Sequence, residues 1–396
     1  MPDKVVLAFS GGLDTSFCVK YLAEDKGLEV HTAIVDTGGF SADDLAHIAN
    51  RAESLGVASH VVLDEIKPYY EQCLRYLLFG NVLKNDTYPL SVSAERTFQA
   101  MAIAQYAHKV GAKYIAHGST GAGNDQVRFD LVFEVMAPGV EILTPIRDLK
   151  LSREAEIDYL KTKGVTYEWA KAQYSINQGL WGTSVGGKET LNSWDTLPEE
   201  AWPTQLTATG TEEVIIEFEQ GEPIAINGTR YEHPVAAIQA LQAIASPYAV
   251  GRDVHVGDTI IGIKGRVGFE AAAPLILIKA HHLLEKHVLT KFQQHWKKQL
   301  ADSYGMMLHE AQFLEPVMRN IEGFLTDTQE SVTGKVRVRL SPYQFQAIGV
   351  QSEYDMMSAK FGTYGEMNRA WSGDDVKGFT KILGMQGKLH RLVNEE

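Results

Sequence analysis

The chain has 396 residues and a formal net charge of −13, from 37 Lys and Arg against 50 Asp and Glu. Its length predicts two or three domains, and 44% hydrophobic with 22% charged residues excludes a disordered or fibrous protein. The negative charge disfavours phosphate backbones and anionic membranes as partners, so we expect no nucleic acid and no membrane, while a local site for a small anion is still allowed.

The sequence carries few features of an exported protein. Its two cysteines, Cys18 and Cys73, are too few for a disulfide framework or a cysteine-rich zinc site. The apolar run Val5–Phe9 is shorter than the roughly 7 to 15 residues of a signal-peptide core, and no apolar stretch is long enough to span a bilayer. We therefore expect a soluble protein of the reducing cytoplasm.

The first 165 residues alternate between strand and helix patterns. Val5–Phe9 is a continuous apolar run, as expected of a strand buried on both faces of a parallel sheet. A helix pattern follows from Asp14 and ends at Gly27, and the Ser41 to Asp44 spacing predicts a capping box for the next helix. The further strands are predicted over 28–35, 60–63 and 113–116, and the further helices over 42–55 and 94–110. This alternation predicts an α/β domain with a doubly wound parallel sheet.

The pattern changes beyond about residue 163. Residues 167–203 are rich in Gly, Trp, Ser and Asn and predict long loops. A second, α+β domain is indicated by strands over 214–219, 223–226 and 259–270, by two more strands within 334–350, and by a helix over 275–300 that is broken or bent at most once. We expect domains at 1–165, 166–365 and 366–396, the last a short C-terminal helix that either contacts another subunit or docks on its own domain.

The segment from Ala8 to Ser16 reads Ala-Phe-Ser-Gly-Gly-Leu-Asp-Thr-Ser and joins the first predicted strand to the first helix. Its glycines let the backbone approach a ligand, and the helix N-terminus offers free N–H groups to an anion. Hydroxyl groups of Ser10, Thr15 and Ser16 add donors, so the segment predicts a pyrophosphate site. It is neither a Walker A loop nor a dinucleotide-binding Gly-x-Gly-x-x-Gly motif. A capped glycine-rich turn that binds nothing is the alternative.

The pattern Ser-Gly-Gly-x-Asp-Ser/Thr resembles the loop of the N-type ATP pyrophosphatases, which cleave ATP between the α- and β-phosphates and adenylylate a substrate oxygen. This resemblance implies that Asp14 helps to hold Mg²⁺ near the leaving pyrophosphate. The alternative for Asp14 is a carboxylate that stabilises the helix N-terminus. We assign no further metal-ligating residue.

A second glycine-rich segment, His117–Phe129, follows the predicted strand at 113–116, where open α/β sheets bind ligands. Asp125 suits an ammonium group and Arg128 a carboxylate, so the two predict a site for an amino-acid zwitterion. A surface ion pair on a capped loop is the alternative. With the first loop, the run Gly-Asn-Asp-Gln-Val-Arg-Phe in this segment resembles the argininosuccinate synthase family, and the resemblance covers almost the whole chain.

This resemblance implies a homotetrameric ligase of arginine biosynthesis that joins citrulline to aspartate with ATP and Mg²⁺, through citrullyl-AMP. The implied ATP contacts are Ala8, Phe9, Ser10, Gly11, Gly12, Leu13, Asp14, Thr15, Ser16, Val35 and Gly118. The implied aspartate contacts are Thr120, Asn124 and Asp125, and the implied citrulline contacts are Tyr88, Ser93, Asn124, Arg128, Ser175 and Ser184. Asp14, Asp125 and Arg128 are the expected catalytic residues. No protein nucleophile is required, so they would act through positioning and charge.

The sequence departs from the commonest pattern of that family at two implied citrulline contacts. Gly257 stands where the family has a glutamate, and Phe269 where it has a tyrosine. If the glutamate pairs with the α-ammonium of citrulline, its loss removes a partner that a buried cation needs. Compensation by Asp258 is the first expectation, and tolerance of a citrulline acylated on its α-amine is the second.

Two other functions share parts of this sequence pattern. Another ATP pyrophosphatase, such as a tRNA-modifying thiolase or an amidotransferase synthetase, is opposed by the two distant cysteines, the charge of −13 and the absence of an N-terminal cysteine. A nucleotide-binding sensor without catalytic activity is opposed by the two intact loops and the large second domain.

Overall fold

The computed structural model describes residues 2–165, 167, 173–357, 362, 364–366 and 370–395. The elements of its N-terminal part are, in chain order, β1 (Lys4–Ala8), α1 (Leu13–Lys20), β2 (Glu29–Asp36), α2 (Ala42–Ser54), β3 (Ser59–Asp64), α3 (Ile66–Tyr69), α4 (Arg75–Phe79), α5 (Ser91–Val110), β4 (Tyr114–Ala116), α6 (Asp125–Met136), β5 (Glu141–Leu143), α7 (Pro145–Leu149) and α8 (Arg153–Thr162). A π-helical turn over Tyr21–Asp25 extends α1, and a second one over Tyr70–Leu74 joins α3 to α4.

The N-terminal strands form a parallel sheet in the order β3-β2-β1-β4-β5. Val5, Val6 and Leu7 of the central strand are fully buried. Their side chains pack against α1 and α8 on one face of the sheet and against α5 and α6 on the other. The prediction of a doubly wound α/β domain is confirmed. The strand order reverses between β1 and β4, so a ligand-binding crevice is expected at the carboxyl ends of these two strands.

Local signals in this part match the structure closely. Ser41 and Asp44 form the predicted capping box at the start of α2. Gly27, Gly56 and Gly111 follow the predicted helices with φ between +67° and +81°, a conformation that glycine adopts without strain. Helix α5 begins three residues earlier than predicted, at Ser91, after Leu90 in the left-handed region.

The C-terminal part contains β6 (Ser175–Gly179), β7 (Gly182–Gly186), β8 (Glu212–Glu219), β9 (Glu222–Ile226), β10 (Thr229–Arg230), α9 (Pro234–Ala245), β11 (Arg252–Asp258), β12 (Lys264–Glu270), α10 (Ala272–Val288), α11 (Lys291–His309), α12 (Pro316–Asp327), β13 (Gly334–Ser341), β14 (Gln344–Gln351), α13 (Gly373–Leu383) and α14 (Met385–Asn394). Short 3₁₀ turns lie at Lys188–Leu191, Glu199–Ala201, Ser246–Tyr248 and Gln312–Leu314. Its strands form two sheets, ordered β10-β9-β8-β13-β14 and β11-β12-β7-β6, with antiparallel pairing.

Two sequence predictions in this part were wrong. The segment 167–203 is not all loop, because β6 and β7 form a hairpin within it, while residues 168–172 lie outside the described part of the chain. The strand predicted over 259–270 is only the second half of the β11–β12 hairpin, whose connection is Thr259–Ile263. The single break in the predicted long helix is confirmed and falls between α10 and α11, where Thr290 caps α11.

The largest hydrophobic core joins distant parts of the sequence. Buried side chains from the segment Tyr69–Phe98 pack with those of β8, β9, α9, α10, α11 and β13. The predicted boundary near residue 165 separates the sheets, but this core crosses it.

The last two helices expose their apolar faces. No residue of α13 or α14 is buried, and Phe379, Ile382 and Leu392 each expose more than 60% of their surface. Throughout the described residues, no helix combines the length and the hydropathy needed to cross a membrane.

Candidate active site

The loop after β1 has the local geometry of an anion site. Gly11 has φ +74°, and Gly12 is the residue before the first turn of α1. The hydroxyl groups of Thr15 and Ser16 both donate to the carbonyl of Gly12, at 3.3 and 2.7 Å. The first backbone N–H groups of a helix have no partner within the helix, so those of α1 are available to a phosphate.

A cavity of about 670 Å³ opens beside this loop. Its wall includes Ala8, Phe9, Ser10, Gly12, Leu13, Asp14, Thr15, Val35 and Gly118 of the predicted ATP contacts. Of the remaining two, Gly11 carries the turn, and Ser16 is buried beneath the loop. Apolar side chains such as Phe40, Ile103 and Phe129 line other parts of the cavity, which therefore offers both an anion site and an apolar surface.

Two glycines allow close approaches around the cavity. A Cβ on Gly118 would lie 3.1 Å from the Thr15 side chain, so the loop after β4 packs directly against the start of α1. A Cβ on Gly39 would lie 2.1 Å from the carbonyl oxygen of Gln178 in β6. The β6–β7 hairpin of the second part is thereby packed against the loop after β2, and Gln178 forms part of the cavity wall.

Asp125 lies at the cavity between two arginines. Its carboxylate accepts hydrogen bonds from Arg128 at 2.8 Å and from Arg96 at 3.1 Å. Burial favours the neutral form of Asp125, but the two guanidinium groups outweigh this effect and hold its pKa below the usual value. Arg96 also donates to Asn177 at 2.8 Å, which connects Asp125 to the hairpin.

A second buried carboxylate, Glu95, faces the same cavity. It accepts a hydrogen bond of 2.5 Å from the hydroxyl group of Thr37 and pairs with Arg96 at 3.2 Å. Burial raises the pKa of Glu95, and Arg96 and Thr37 offset this only in part. Glu95 is thus a carboxylate whose proton affinity is increased within the site.

Asp14 lines the cavity at the start of α1, and Glu156 of α8 is near enough to feel its charge. Glu156 is 3% exposed, and its Oε2 has no hydrogen-bond partner. Burial and the negative charge of Asp14 raise the pKa of Glu156 to about 8. The neighbouring Asp14 thus adds to the effect of burial in disfavouring the ionised form of Glu156.

His117 holds the segment after β4 in place. Its Nδ1 accepts a hydrogen bond from the backbone N–H of Ser119, so Nε2 carries the proton and donates to Asp130 at 2.8 Å. Asp130 in turn accepts from Arg147 at 2.6 Å. This chain of hydrogen bonds fixes the loop that carries Gly118.

Most of the predicted citrulline contacts are buried and do not line this cavity themselves, and Arg128 connects them to Asp125 of its wall. The hydroxyl group of Ser93 accepts from Arg128 at 3.1 Å and contacts Nδ1 of His309 at 3.0 Å. Tyr88 packs on Phe269, with ring centroids 5.3 Å apart. Ser184 lies on β7 next to Phe269 and accepts a hydrogen bond of 3.4 Å from Asn177.

Three predicted contacts stand apart from this group. Asn124 accepts a hydrogen bond of 2.9 Å from the backbone N–H of Ile260, so it fastens the β11–β12 hairpin to the start of α6. Thr120 and Ser175 are exposed to solvent. Among the described residues no side-chain hydrogen bond is formed by either, and their roles stay predictions.

Sequence reasoning missed several cavity residues, namely Glu95, Arg96, Gln99, Arg153, Asn177 and Gln178. Glu95 and Arg96 carried one usable signal, since they are charged residues within the alanine-rich, largely buried helix α5. The sequence gives no sign that Asn177 and Gln178 of the hairpin belong to the site, because they reach the cavity only through tertiary packing. Across the described residues, no group of three or more His, Cys, Asp or Glu side chains forms a metal-ligand set.

The fold and the loop after β1 define a nucleotide-binding α/β protein. Residues 4–166 match the family model described as the arginosuccinate synthase N-terminal HUP domain, and residues 174–390 match that of the C-terminal domain. The argininosuccinate synthases of Dictyoglomus turgidum, Methanocaldococcus jannaschii and Xanthomonas campestris are 37%, 35% and 37% identical to this chain, with 98% of both chains covered in each case. The chain belongs to the argininosuccinate synthase family, which confirms the resemblance found in the sequence.

Proposed function

We propose that the chain joins the ureido group of citrulline, or of a citrulline derivative, to the amine of aspartate at the expense of ATP. The observation that carries this proposal is the single cavity that contains both the loop of α1 and Asp125. A nucleotide bound at the loop and an amino acid bound at Asp125 would lie in the same space, as a ligation between them requires.

In the proposed reaction the ureido oxygen attacks the α-phosphorus of ATP, and the bond to the β-phosphate oxygen breaks, releasing pyrophosphate. The amine of aspartate then attacks the ureido carbon of citrullyl-AMP, loses a proton, and expels AMP. The products are argininosuccinate, AMP and pyrophosphate. Backbone N–H groups after Ser10 would stabilise the phosphate charge, and Asp125 would orient the amine, so that positioning and electrostatics supply the catalysis.

Mg²⁺ is part of the proposal. Asp14 is the carboxylate that lines the cavity within the phosphate loop, and Mg²⁺ is commonly held by one or two carboxylates together with substrate phosphates. The donor set therefore fits a magnesium ion that arrives with ATP. When bound, the ion would neutralise charge on the departing pyrophosphate.

The assembly and location of the protein are proposed as well. We infer a homotetramer in the cytoplasm, with residues 366–396 contributing an oligomer contact. The exposed apolar faces of α13 and α14 support the contact. The free, buried thiols of Cys18 and Cys73 suit a reducing compartment.

Release of pyrophosphate from ATP tests the proposed function. We expect release that requires a ureido acid and aspartate together, with AMP formed in equal amount. Binding of ATP without turnover under any of these conditions would contradict the proposal and favour a nucleotide sensor.

A further inference from the structure

Four basic side chains gather under the β11–β12 hairpin, and we call them the basic cluster. They are Lys84, Arg128 of α6, His255 of β11 and His309 at the end of α11. Arg128, His255 and His309 are buried, and Lys84 is half-buried. Burial lowers the pKa of both imidazoles, and the positive charge of Lys84 lowers it further in each case, so these groups share one environment.

His309 and Arg128 have their polar groups satisfied within the protein. His309 contacts the carbonyl of Asp258 through Nε2 at 3.3 Å and Ser93 through Nδ1 at 3.0 Å. Arg128 donates to Asp125, Ser93 and the carbonyl of His309. These two residues therefore form the fixed side of the cluster.

His255 and Lys84 are not satisfied in this way. His255 is 6% exposed, and its Nδ1 is buried without a hydrogen-bond partner. Its ring stacks on Tyr88, with centroids 5.1 Å apart and an interplanar angle of 22°. Among the described residues the ammonium group of Lys84 forms no ion pair. A buried imidazole and a half-buried ammonium without partners leave donors that a ligand is expected to satisfy.

Among the described residues no acidic side chain forms an ion pair with Lys84, His255 or His309, although the charges of Glu310 and Asp258 act on Lys84. Asp125 is shared between Arg96 and Arg128. Asp258, expected from the sequence to replace a missing glutamate, is 71% exposed and pairs with Lys264 at 2.5 Å. Glu310 is exposed and forms no ion pair with Lys84. A cationic group placed between Lys84 and His255 would be repelled by the ammonium group, whereas an anionic group would meet two donors.

Gly257 leaves the space that His255 occupies. A Cβ on Gly257 would lie 2.5 Å from Nε2 of His255, so a side chain at 257 and the present position of His255 exclude each other. Gly257 pairs across the hairpin with Gly265, and neither residue fills the space with a side chain.

The cluster adjoins residues assigned to the ureido substrate. Tyr88 stacks on His255, and Ser93 contacts both His309 and Arg128. Gly257, which stands where the family has the glutamate expected to pair with the α-ammonium of citrulline, adjoins His255, so within the proposed function the amino-acid end of the substrate is assigned to the cluster. A free α-ammonium there would be repelled by Lys84 and Arg128, whereas an amide nitrogen carries no charge.

We propose that the basic cluster binds the carboxylate of an anionic acyl group on the α-nitrogen of the ureido substrate, so that the preferred substrate is an N-acylated citrulline of the dicarboxylic half-amide class. This inference rests on the proposed function and narrows its substrate. Lys84 and His255 would take the terminal carboxylate, and Tyr88 would pack against the acyl chain.

The pyrophosphate-release assay can show whether the site prefers a free, a neutral acylated or an anionic acylated substrate. The three probes are citrulline, N-acetylcitrulline and N-succinylcitrulline, each with ATP and aspartate. We expect kcat/KM to be highest for the succinyl compound, about tenfold above the acetyl compound, as one charge-assisted contact would give. Citrulline should be the poorest of the three. If citrulline equals or exceeds the acyl compounds, or if acetyl equals succinyl, the inference is overturned while the proposed function stands. If none of the three supports turnover, the proposed function fails as well.

Substitutions in the basic cluster test whether its residues cause the preference for the succinyl compound. Lys84→Met should lower the ratio of kcat/KM for the succinyl compound to that for the acetyl compound about tenfold. Lys298→Met, which removes an exposed lysine that pairs with Asp86 and Asp302, is the matched control. His255→Phe keeps a ring on Tyr88 but removes the donors, and it should reduce the succinyl preference independently. Retention of the full preference by both folded cluster variants would refute the assignment.

Discussion

Asp125 shows how one carboxylate serves two arginines before any substrate arrives. Its side chain is held by Arg96 and Arg128, so its position is fixed while its charge is shared. An ammonium group that binds here would compete with the arginines for the same oxygens. Fixed geometry with partly neutralised charge suits a residue that orients an amine and then lets it react.

Asp125→Ala should lower kcat/KM at least about 100-fold, because the amine of aspartate loses its orienting partner and two arginines lose theirs. Nucleotide binding should survive, since the loop at 8–16 does not depend on this residue. Calorimetric titration with ATP in the absence of the other substrates, beside steady-state pyrophosphate release, checks both statements. Equal loss of binding and turnover would contradict the assigned role. Asp125→Asn is the control that keeps the shape of the side chain.

Glu156 should make the stability of the protein depend on pH. Its pKa is raised from 4.5 to about 8 by burial and by Asp14, so the folded state binds a proton that the unfolded state has lost between these values. Stability should therefore fall as the pH rises from about 4.5 to 8. Glu156→Gln should remove this loss and be more stable than the parent at pH 8 to 9, by roughly 1–3 kcal/mol. Melting temperatures of both proteins from pH 5 to pH 9 decide the point, and parallel profiles would show that Glu156 does not titrate in this range.

At the scale of elements, much of the N-terminal domain could be predicted because its signals are local. An apolar run, a glycine stop and a capping box each act within a few residues, and β1, α2 and α5 follow them closely. The β6–β7 hairpin could not be predicted, because its Ser, Asn and Gly residues carry no strand pattern and its place depends on packing against Gly39. The candidate site divides in the same way. The loop at residues 8–16 is contiguous in the sequence, whereas Asn177 reaches the cavity and His309 reaches Arg128 only in the folded chain.

The contact between the loop after β2 and the β6–β7 hairpin offers a test of how the cavity wall is held. Gly39→Ala would place a methyl group 2.1 Å from the Gln178 carbonyl oxygen, so the hairpin must move away from the loop. We expect ATP affinity to fall about tenfold or more, because the wall beside the nucleotide is displaced. Gly323→Ala in α12, where an added Cβ meets nothing within 4 Å, is the matched substitution and should be neutral or stabilising. Unchanged ATP affinity in Gly39→Ala would show that the hairpin is not needed for nucleotide binding.

At the scale of the whole molecule, the last two helices should decide the oligomeric state. Phe379→Asp with Leu392→Asp places charges on their exposed apolar faces and should convert a tetramer into smaller species at micromolar concentration. Lys377→Asp with Lys388→Asp, on exposed polar positions, is the control and should keep the native mass. Light scattering after size-exclusion chromatography measures both. A tetramer that persists in the apolar-face variant would place the subunit contacts elsewhere.

The largest core cannot be completed until late in translation, because its residues come from distant parts of the sequence. Leu74, Leu77 and Leu78 leave the ribosome early, but the core that they belong to also contains Val336 and Leu340, which are translated about 260 residues later. At roughly 5–20 residues per second, these leucines wait on the order of 10–50 s without their partners. The parallel sheet can form first, while the helical segment between β3 and α5 stays uncovered until the last strands emerge. A nascent chain stalled after residue 165 should therefore be a stronger chaperone client than the finished protein.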